Sequence, residues 1–92
     1  MKRVSTKVIV QGTVQGVSFR ASLNEKAIRN HVDGWVRNRE DGSVEALLQG
    51  EEDAVRKVVE WTRRGPPRAK VSEVTEELIV LYPRQRGFRI IS

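Results

Sequence analysis

The chain has no cysteine among its 92 residues, a single histidine and few aromatic side chains. The lack of cysteine excludes disulfides, thiolate metal ligands and a cysteine nucleophile. The chain also lacks any apolar run near the roughly 20 residues that a membrane-spanning helix needs, and no charged-then-apolar signal segment opens it. We therefore expect a soluble, cytoplasmic protein without membrane contact, folded as one domain over residues 1–92.

Long blocks of one charge are also absent. The 17 basic and 12 acidic residues are interspersed, and they leave a formal net charge of +5. An excess of positive charge favours an anionic partner, which on this ground alone includes nucleic acid, acidic lipid and small phosphorylated molecules. A solvent-exposed surface that carries many positive and many negative side chains explains the same composition equally well.

The spacing of apolar residues predicts a strand, a helix and a hairpin in the first half of the chain. Alternation with a period of two indicates the first strand, and apolar positions three and four residues apart indicate the helix. A turn sequence between two alternating runs is typical of a hairpin. The predicted elements are a strand ended by Gly12, a helix from Phe19 to about Asn30, and a hairpin over residues 32–50 with its turn at Asp41-Gly42.

The second half predicts another helix and two strands. Acidic residues open this helix, and a glycine followed by two prolines ends it, as the helix dipole and C-terminal capping favour. Three glutamates interrupt the alternation of the strand that follows, which indicates an edge position. The predicted elements are a helix that opens with Glu51, Glu52 and Asp53 and is ended by Gly65, an edge strand from Lys70 to Tyr82, and a short strand at Phe88 to Ile90.

This order of elements predicts an α+β fold of the ferredoxin-like, split βαβ type, with four to five strands in an antiparallel or mixed sheet and two helices on one face. A helix connects the first two strands, so they should be parallel and end at the same edge of the sheet. The loop from Gly12 to Arg20 leaves the first of these strands, and Asn38 ends the second. We therefore expect this loop and Asn38 to meet at one rim.

Arg20 occupies an unfavourable position in this scheme. With Ser18 as the N-cap, Arg20 stands in the first turn of the helix, where the positive end of the dipole disfavours a cation. Gly12 and Gly16 permit a curled backbone with inward N–H groups, and a bound phosphate would turn the same positive cluster into a favourable one. From these residues alone, an ordinary turn beside an exposed arginine remains the alternative.

Several motifs are similar to those of one known family, and they span most of the chain. They are Val14-Gln15-Gly16-Val17-Ser18-Phe19-Arg20, Gly34-Trp35-Val36-Arg37-Asn38, Asp41-Gly42-Ser43-Val44-Glu45, and the Gly65-Pro66-Pro67 stop. Together they resemble the acylphosphatase family, with a match from about Val8 to Pro67 and a closing strand at Gly87 to Ile90.

The resemblance implies a hydrolase that cleaves the carboxyl–phosphate bond of acyl phosphates to carboxylate and inorganic phosphate. It implies that Asn38 holds the attacking water and that no metal or cofactor takes part. We expect a monomer whose partner is a small acyl phosphate, with inorganic phosphate or sulfate as other occupants of the loop. The implied phosphate-binding loop comprises Gln15, Gly16, Val17, Ser18, Phe19 and Arg20, through their backbone amides and the Arg20 side chain.

Two other functions compete with this one. A ferredoxin-like sheet can bind RNA by stacking bases on aromatic side chains, but the predicted central strands carry no aromatic pair, so we expect no nucleic acid. An anion-binding domain without hydrolysis would keep the loop, but the presence of both Arg20 and Asn38 disfavours it. His31 follows the first helix, away from the predicted rim, so we expect a surface residue there and no catalytic base.

Overall fold

The computed structural model describes residues 2–92, which form five strands and two helices. The strands form one sheet in the order β4-β1-β3-β2-β5, with antiparallel pairs except for β2 and β5, which are parallel. The elements are β1 (Arg3–Thr13), α1 (Phe19–Arg29), β2 (Asp33–Asn38), β3 (Val44–Glu51), α2 (Glu52–Thr62), β4 (Lys70–Leu78) and β5 (Phe88–Ile90). The predicted α+β, ferredoxin-like fold is confirmed.

The register of β3 brings the ends of β1 and β2 together. Val44 of β3 is the partner of Val10 in β1 and also of Asn38 in β2. Because both neighbours run antiparallel to β3, they run parallel to each other and end at the same edge. The segment after β1 and the side chain of Asn38 therefore share one rim of the sheet, as the topology predicted.

A single apolar core lies between the sheet and the helices. α1 packs over β2 and β5, α2 packs over β1 and β3, and the helices also contact each other. Each helix buries one stripe of side chains, which consists of Phe19, Leu23 and Ala27 in α1 and of Val55, Val58, Val59 and Thr62 in α2. This packing fixes the N-terminus of α1 above the rim. Neither helix of the described chain has the length and apolarity needed to cross a membrane.

Two predicted strand boundaries were wrong. Gly12 does not end β1 but lies at a bulge where the register against β4 shifts, with a φ of 125°. A Cβ atom there would stand 2.1 Å from the carbonyl oxygen of Lys70, so the close approach of β4 requires glycine. β4 is an edge strand, as predicted, but it ends at Leu78 and not at Tyr82.

Residues 79–87 run from the end of β4 to the start of β5 and cross beneath the sheet on the way. The indole N–H of Trp35 donates to the hydroxyl of Tyr82 at 3.3 Å. The side-chain amide of Gln49 donates to the carbonyl of Pro83 at 3.1 Å and accepts from the N–H of Gln85 at 2.7 Å. These bonds hold the crossing segment at the end of the sheet opposite the rim.

Candidate active site

The loop between β1 and α1 is anchored at two points and curled between them. Val14 and Val17 are buried, with exposed fractions of 1% and 8%. Gly16 and Ser18 have positive φ angles of 75° and 67°. Two positive φ angles, two residues apart, bend the backbone into a concave path. In such a path successive N–H groups point inward, which is how backbone amides surround an anion.

The N–H groups of this loop are available for a ligand. Within residues 2–92, no hydrogen bond has the backbone N–H of residues 15–20 as its donor. The first bond of α1 runs from the N–H of Ser22 to the carbonyl of Ser18, at 3.0 Å. The unpaired donors and the positive end of the helix dipole therefore lie at the same point.

Ser18 differs from its sequence prediction. It occupies the N-cap position of α1, but its backbone is left-handed and its hydroxyl makes no capping hydrogen bond. A usual N-cap residue has an extended backbone that aims its side chain at the first turn. The left-handed conformation instead continues the curl of the loop, and it leaves the donors of the first turn without a side-chain acceptor.

Arg20 lies in the first turn of α1, as the sequence predicted. No acidic residue shares that turn, and Arg20, a half-buried residue, forms no ion pair or side-chain hydrogen bond with any side chain or carbonyl of residues 2–92. The unfavourable placement of this cation is therefore real, and nothing in the described chain offsets it.

Asn38 and Arg20 line the same cavity, of about 230 Å³, which we call the rim cavity. The side-chain oxygen Oδ1 of Asn38 is buried and accepts from no donor of the described chain. Gly16 and Ser18 of the loop form another part of the wall. The structure thus brings together the two side chains and the loop that the sequence singled out.

Sequence reasoning missed one wall of the rim cavity. Ile90 of β5 lines it together with Val14. The pairing of β5 with β2 is parallel and places Ile90 beside Val36, two residues before Asn38. No local pattern in the sequence indicates which edge a three-residue strand joins, so only the assembled sheet reveals this apolar wall.

The turn between β2 and β3 follows Asn38 directly and is closed by a carboxylate. Asp41 accepts hydrogen bonds from the N–H of Ser43 at 2.9 Å and from its hydroxyl at 2.5 Å. These bonds, the hydroxyl first and then the N–H, lower the pKa of the Asp41 carboxyl, because each favours the ionised form. The side-chain nitrogen of Gln15 donates to the carbonyls of Arg39 and Ser43, a link that the sequence did not predict.

The single histidine of the chain lies away from this site, whereas the C-terminal residue lies beside it, because the N–H of Asn38 donates to an oxygen of Ser92 at 3.0 Å. His31 is exposed and follows α1, a helix of 11 residues and about 16 Å in length, whose opposite end forms the rim. Within residues 2–92, no three His, Cys, Asp or Glu side chains are close enough together to hold a metal ion. Independence from metal stays a prediction that the chemistry must test.

An α+β sandwich of this topology belongs to the class of small ferredoxin-like proteins, and in this one a curled loop with unpaired amides lies beside an arginine. The family model described as Acylphosphatase matches residues 6–90. The acylphosphatase of Pyrobaculum aerophilum is 55% identical over 92 residues, which covers 99% of this chain and 97% of that relative.

Solved structures agree with the sequence comparison. An acylphosphatase from Coxiella burnetii superposes with a TM-score of 0.91 at 40% identity, covering 97% of this chain and 93% of the other. An acylphosphatase from Bacillus subtilis superposes with a TM-score of 0.93 at 35% identity, covering 97% and 99%. The chain belongs to the acylphosphatase family.

Proposed function

We propose that this hydrolase cleaves the carboxyl–phosphate bond of a small acyl phosphate and releases a carboxylate and inorganic phosphate. The backbone N–H groups of residues 15–20 and the guanidinium of Arg20 hold the phosphoryl group, and Asn38 positions the attacking water. One observation carries this assignment: the unpaired Arg20 and the buried, unpartnered oxygen of Asn38 line one cavity.

Binding of the phosphoryl group resolves the charge conflict at α1. Unpaired N–H groups and the helix dipole supply partial positive charge, and Arg20 adds a full charge that no residue of the described chain neutralises. A guanidinium donates two parallel hydrogen bonds to phosphate oxygens. In phosphoryl transfer, charge on the equatorial oxygens is what the protein must stabilise, and this cradle matches that demand.

Asn38 supplies the second requirement, an oriented nucleophile. Its Oδ1 is an acceptor only, so a water bound there directs an O–H to the amide and a lone pair away from it. The lone pair then faces the phosphoryl group held by the loop. Placement of this kind accelerates a reaction without any proton transfer by the side chain itself.

The reaction needs no general acid, because the leaving carboxylate has a conjugate acid with a pKa of about 4 to 5. No histidine, aspartate or glutamate of the described chain lines the rim cavity. We therefore assign the proton of the attacking water to an oxygen of the substrate phosphate. Since the loop amides and Arg20 supply the positive charge, we also propose that hydrolysis is independent of metal and cofactor.

We extend the proposal to the organisation of the protein. Residues 1–92 act as one domain and as a monomer in the cytoplasm, with inorganic phosphate or sulfate as competing ligands of the loop. The single apolar core supports one domain, as does a radius of gyration of 11.9 Å, close to the roughly 12 Å expected for a compact domain of this length.

The test is hydrolysis of benzoyl phosphate with excess chelator by wild type, Arg20→Ala, Arg20→Lys and Asn38→Ala. We expect chelator-resistant turnover by the wild type. Loss of the guanidinium should reduce kcat/KM by about 10³ to 10⁵, or about 4 to 7 kcal/mol, as for other phosphoryl-transfer arginines. Lysine should restore little, because it lacks the planar fork.

The variants separate the two roles. Asn38→Ala should lose most but not all of its turnover and keep its affinity for inorganic phosphate, whereas Arg20→Ala should lose both turnover and phosphate affinity. Retention of more than about a tenth of wild-type kcat/KM by Arg20→Ala would remove this residue from the mechanism. Abolition of wild-type turnover by the chelator would overturn independence from metal.

A further inference from the structure

The side chain of Gln15 joins the phosphate-binding loop to the turn that follows Asn38. Its nitrogen Nε2 donates to the carbonyl oxygen of Arg39 at 2.8 Å and to that of Ser43 at 2.9 Å. Both partners accept only, so they identify which end of the amide carries the nitrogen. The two N–H donors of one amide group thus hold two points of one turn.

The turn is a rigid partner for this link. The N–H of Arg39 donates to the carbonyl of Ser43 at 2.8 Å, and the N–H of Gly42 donates to the carbonyl of Arg39 at 3.2 Å. Asp41 accepts two further bonds from Ser43. Because the turn is closed by its own hydrogen bonds, a tether to its carbonyls fixes the loop relative to the whole hairpin.

The loop has few other constraints on the side that faces Asn38. Val14 and Val17 anchor it to the core, but a Cβ atom at Gly16 would meet no atom within 4 Å. Within residues 2–92, the Gln15 bonds are the side-chain hydrogen bonds between residues 14–18 and the turn. Gln15 is therefore the side chain that links the loop by hydrogen bonds to the turn after Asn38, in addition to the anchoring of the loop by Val14 and Val17.

We infer that Gln15 is a positioning residue for hydrolysis, whose side-chain amide sets the distance between the bound phosphoryl group and the water on Asn38. This inference rests on the proposed function and adds to it a role for the Gln15 side chain, distinct from its backbone N–H. Arg39 follows Asn38 directly, so a bond to the Arg39 carbonyl restrains the peptide unit between Arg39 and Glu40, one residue beyond Asn38. A displacement of about 1 Å between reacting groups costs about 100-fold in rate.

A positioning role predicts a specific kinetic pattern. Gln15→Ala should lower kcat for benzoyl phosphate by about 10- to 100-fold, because the water and the phosphorus atom lose their alignment. Inhibition by inorganic phosphate should stay within about threefold of wild type, since the loop amides and Arg20 are unchanged. Gln15→Met, which keeps the length of the side chain but not its donors, should show the same loss of kcat.

Gln49 offers a matched control. It is also a glutamine whose side chain makes two hydrogen bonds to backbone, with Pro83 and Gln85, but at the opposite end of the sheet. Gln49→Ala should lower the melting temperature and leave kcat within about twofold of wild type at temperatures where the protein is folded. Equal losses of kcat in the two alanine variants would show that Gln15 acts through stability alone.

A double-mutant cycle gives the sharpest test, because coupled residues show non-additive effects. In an Asn38→Ala background, Gln15→Ala should lower kcat by less than about threefold, since no positioned water remains to be misplaced. An equal loss in both backgrounds, or restoration of kcat by Gln15→Met, would overturn the inference. Full activity of Gln15→Ala with an inactive Asn38→Ala would refute the Gln15 role alone, whereas an inactive wild type would refute the proposed function itself.

Discussion

At the scale of single residues, Arg20 is the clearest departure from local stability rules. A cation in the first turn of a helix is repelled by the dipole, and α1 has no acidic residue in that turn. The described chain gives this guanidinium no counter-charge. Violations of this kind concentrate at functional sites, where a ligand supplies the missing interaction.

The energetic cost of a cation at position 20 can be measured through the free energy of unfolding. Arg20→Glu and Ala21→Glu should each raise the free energy of unfolding by about 0.3 to 1 kcal/mol in phosphate-free buffer of low ionic strength, because each places negative charge at the helix N-terminus. Ala21 is exposed, so its replacement disturbs no packing. Urea unfolding monitored by tryptophan fluorescence provides the measurement.

Ala21→Lys is the control of opposite charge, and it should lower the free energy of unfolding in the same buffer. Added inorganic phosphate should narrow the difference between wild type and Arg20→Glu, because only the wild type gains from binding the anion. Equal stability of Ala21→Glu and Ala21→Lys would refute a stored charge conflict at α1.

At the scale of elements, the β2–β3 turn is stabilised by one carboxylate as well as by backbone hydrogen bonds. The carboxylate is that of Asp41, which accepts from the hydroxyl and the N–H of Ser43. These bonds lower the pKa of the Asp41 carboxyl in the folded state. The unfolded chain therefore binds a proton at a higher pH than the folded chain does, and stability falls as this carboxyl is protonated.

The stability difference between wild type and Asp41→Ala should therefore depend on pH. It should be full above the ordinary aspartate pKa of about 3.9 and should shrink as the pH falls through the lowered value in the folded protein. Thermal unfolding at pH 7 and at pH 2.5 provides the comparison.

Ser43→Ala tests the cause of this dependence. It removes the hydroxyl, the larger of the two effects on the Asp41 pKa, and keeps the backbone N–H. The pH dependence of the Asp41→Ala difference should be weaker in that background. A difference in melting temperature that is constant between the two pH values would contradict the argument.

At the scale of the whole molecule, apolar side chains fall into two groups with different consequences. Leu48 is fully buried between the sheet and the helices. Val80 and Leu81, in the segment that crosses beneath the sheet, are 88% and 89% exposed. Burial and not apolar character decides how much such a residue stabilises the fold.

Leu48→Ala should accordingly lower the free energy of unfolding by about 2 to 5 kcal/mol, the range for truncation of a buried leucine. Val80→Ser and Leu81→Ser should each change it by less than about 0.5 kcal/mol, as surface substitutions do. Chemical denaturation of the three variants provides the test. A large loss in either serine variant would mean that the crossing segment buries these side chains in solution.

Secondary structure and the relative position of strand ends could be predicted from the sequence, whereas a long-range side-chain contact could not. The two helices, the hairpin turn at Asp41-Gly42 and the meeting of Arg20 with Asn38 followed from periodicity, capping residues and the parallel run of β1 and β2. The link from Gln15 was missed, because its bonds join residues 24 and 28 positions apart and depend on the shape of a turn. No spacing in the sequence records such a contact.

The sequence by itself determined the element order, the ferredoxin-like topology and the placement of Arg20 and Asn38 at one rim, while the role of Asn38 was implied by the resemblance to a known family. Apolar periodicity depends only on residues close in sequence, and the connection rules depend only on the order and direction of the elements. Both can therefore be read from the sequence. Only the tertiary structure decided the left-handed Ser18, the bulge at Gly12 and the wall at Ile90. The bulge at Gly12 depends on how closely the backbone of β4 approaches, and the wall at Ile90 depends on which edge of the sheet β5 joins, and both are properties of the packed sheet.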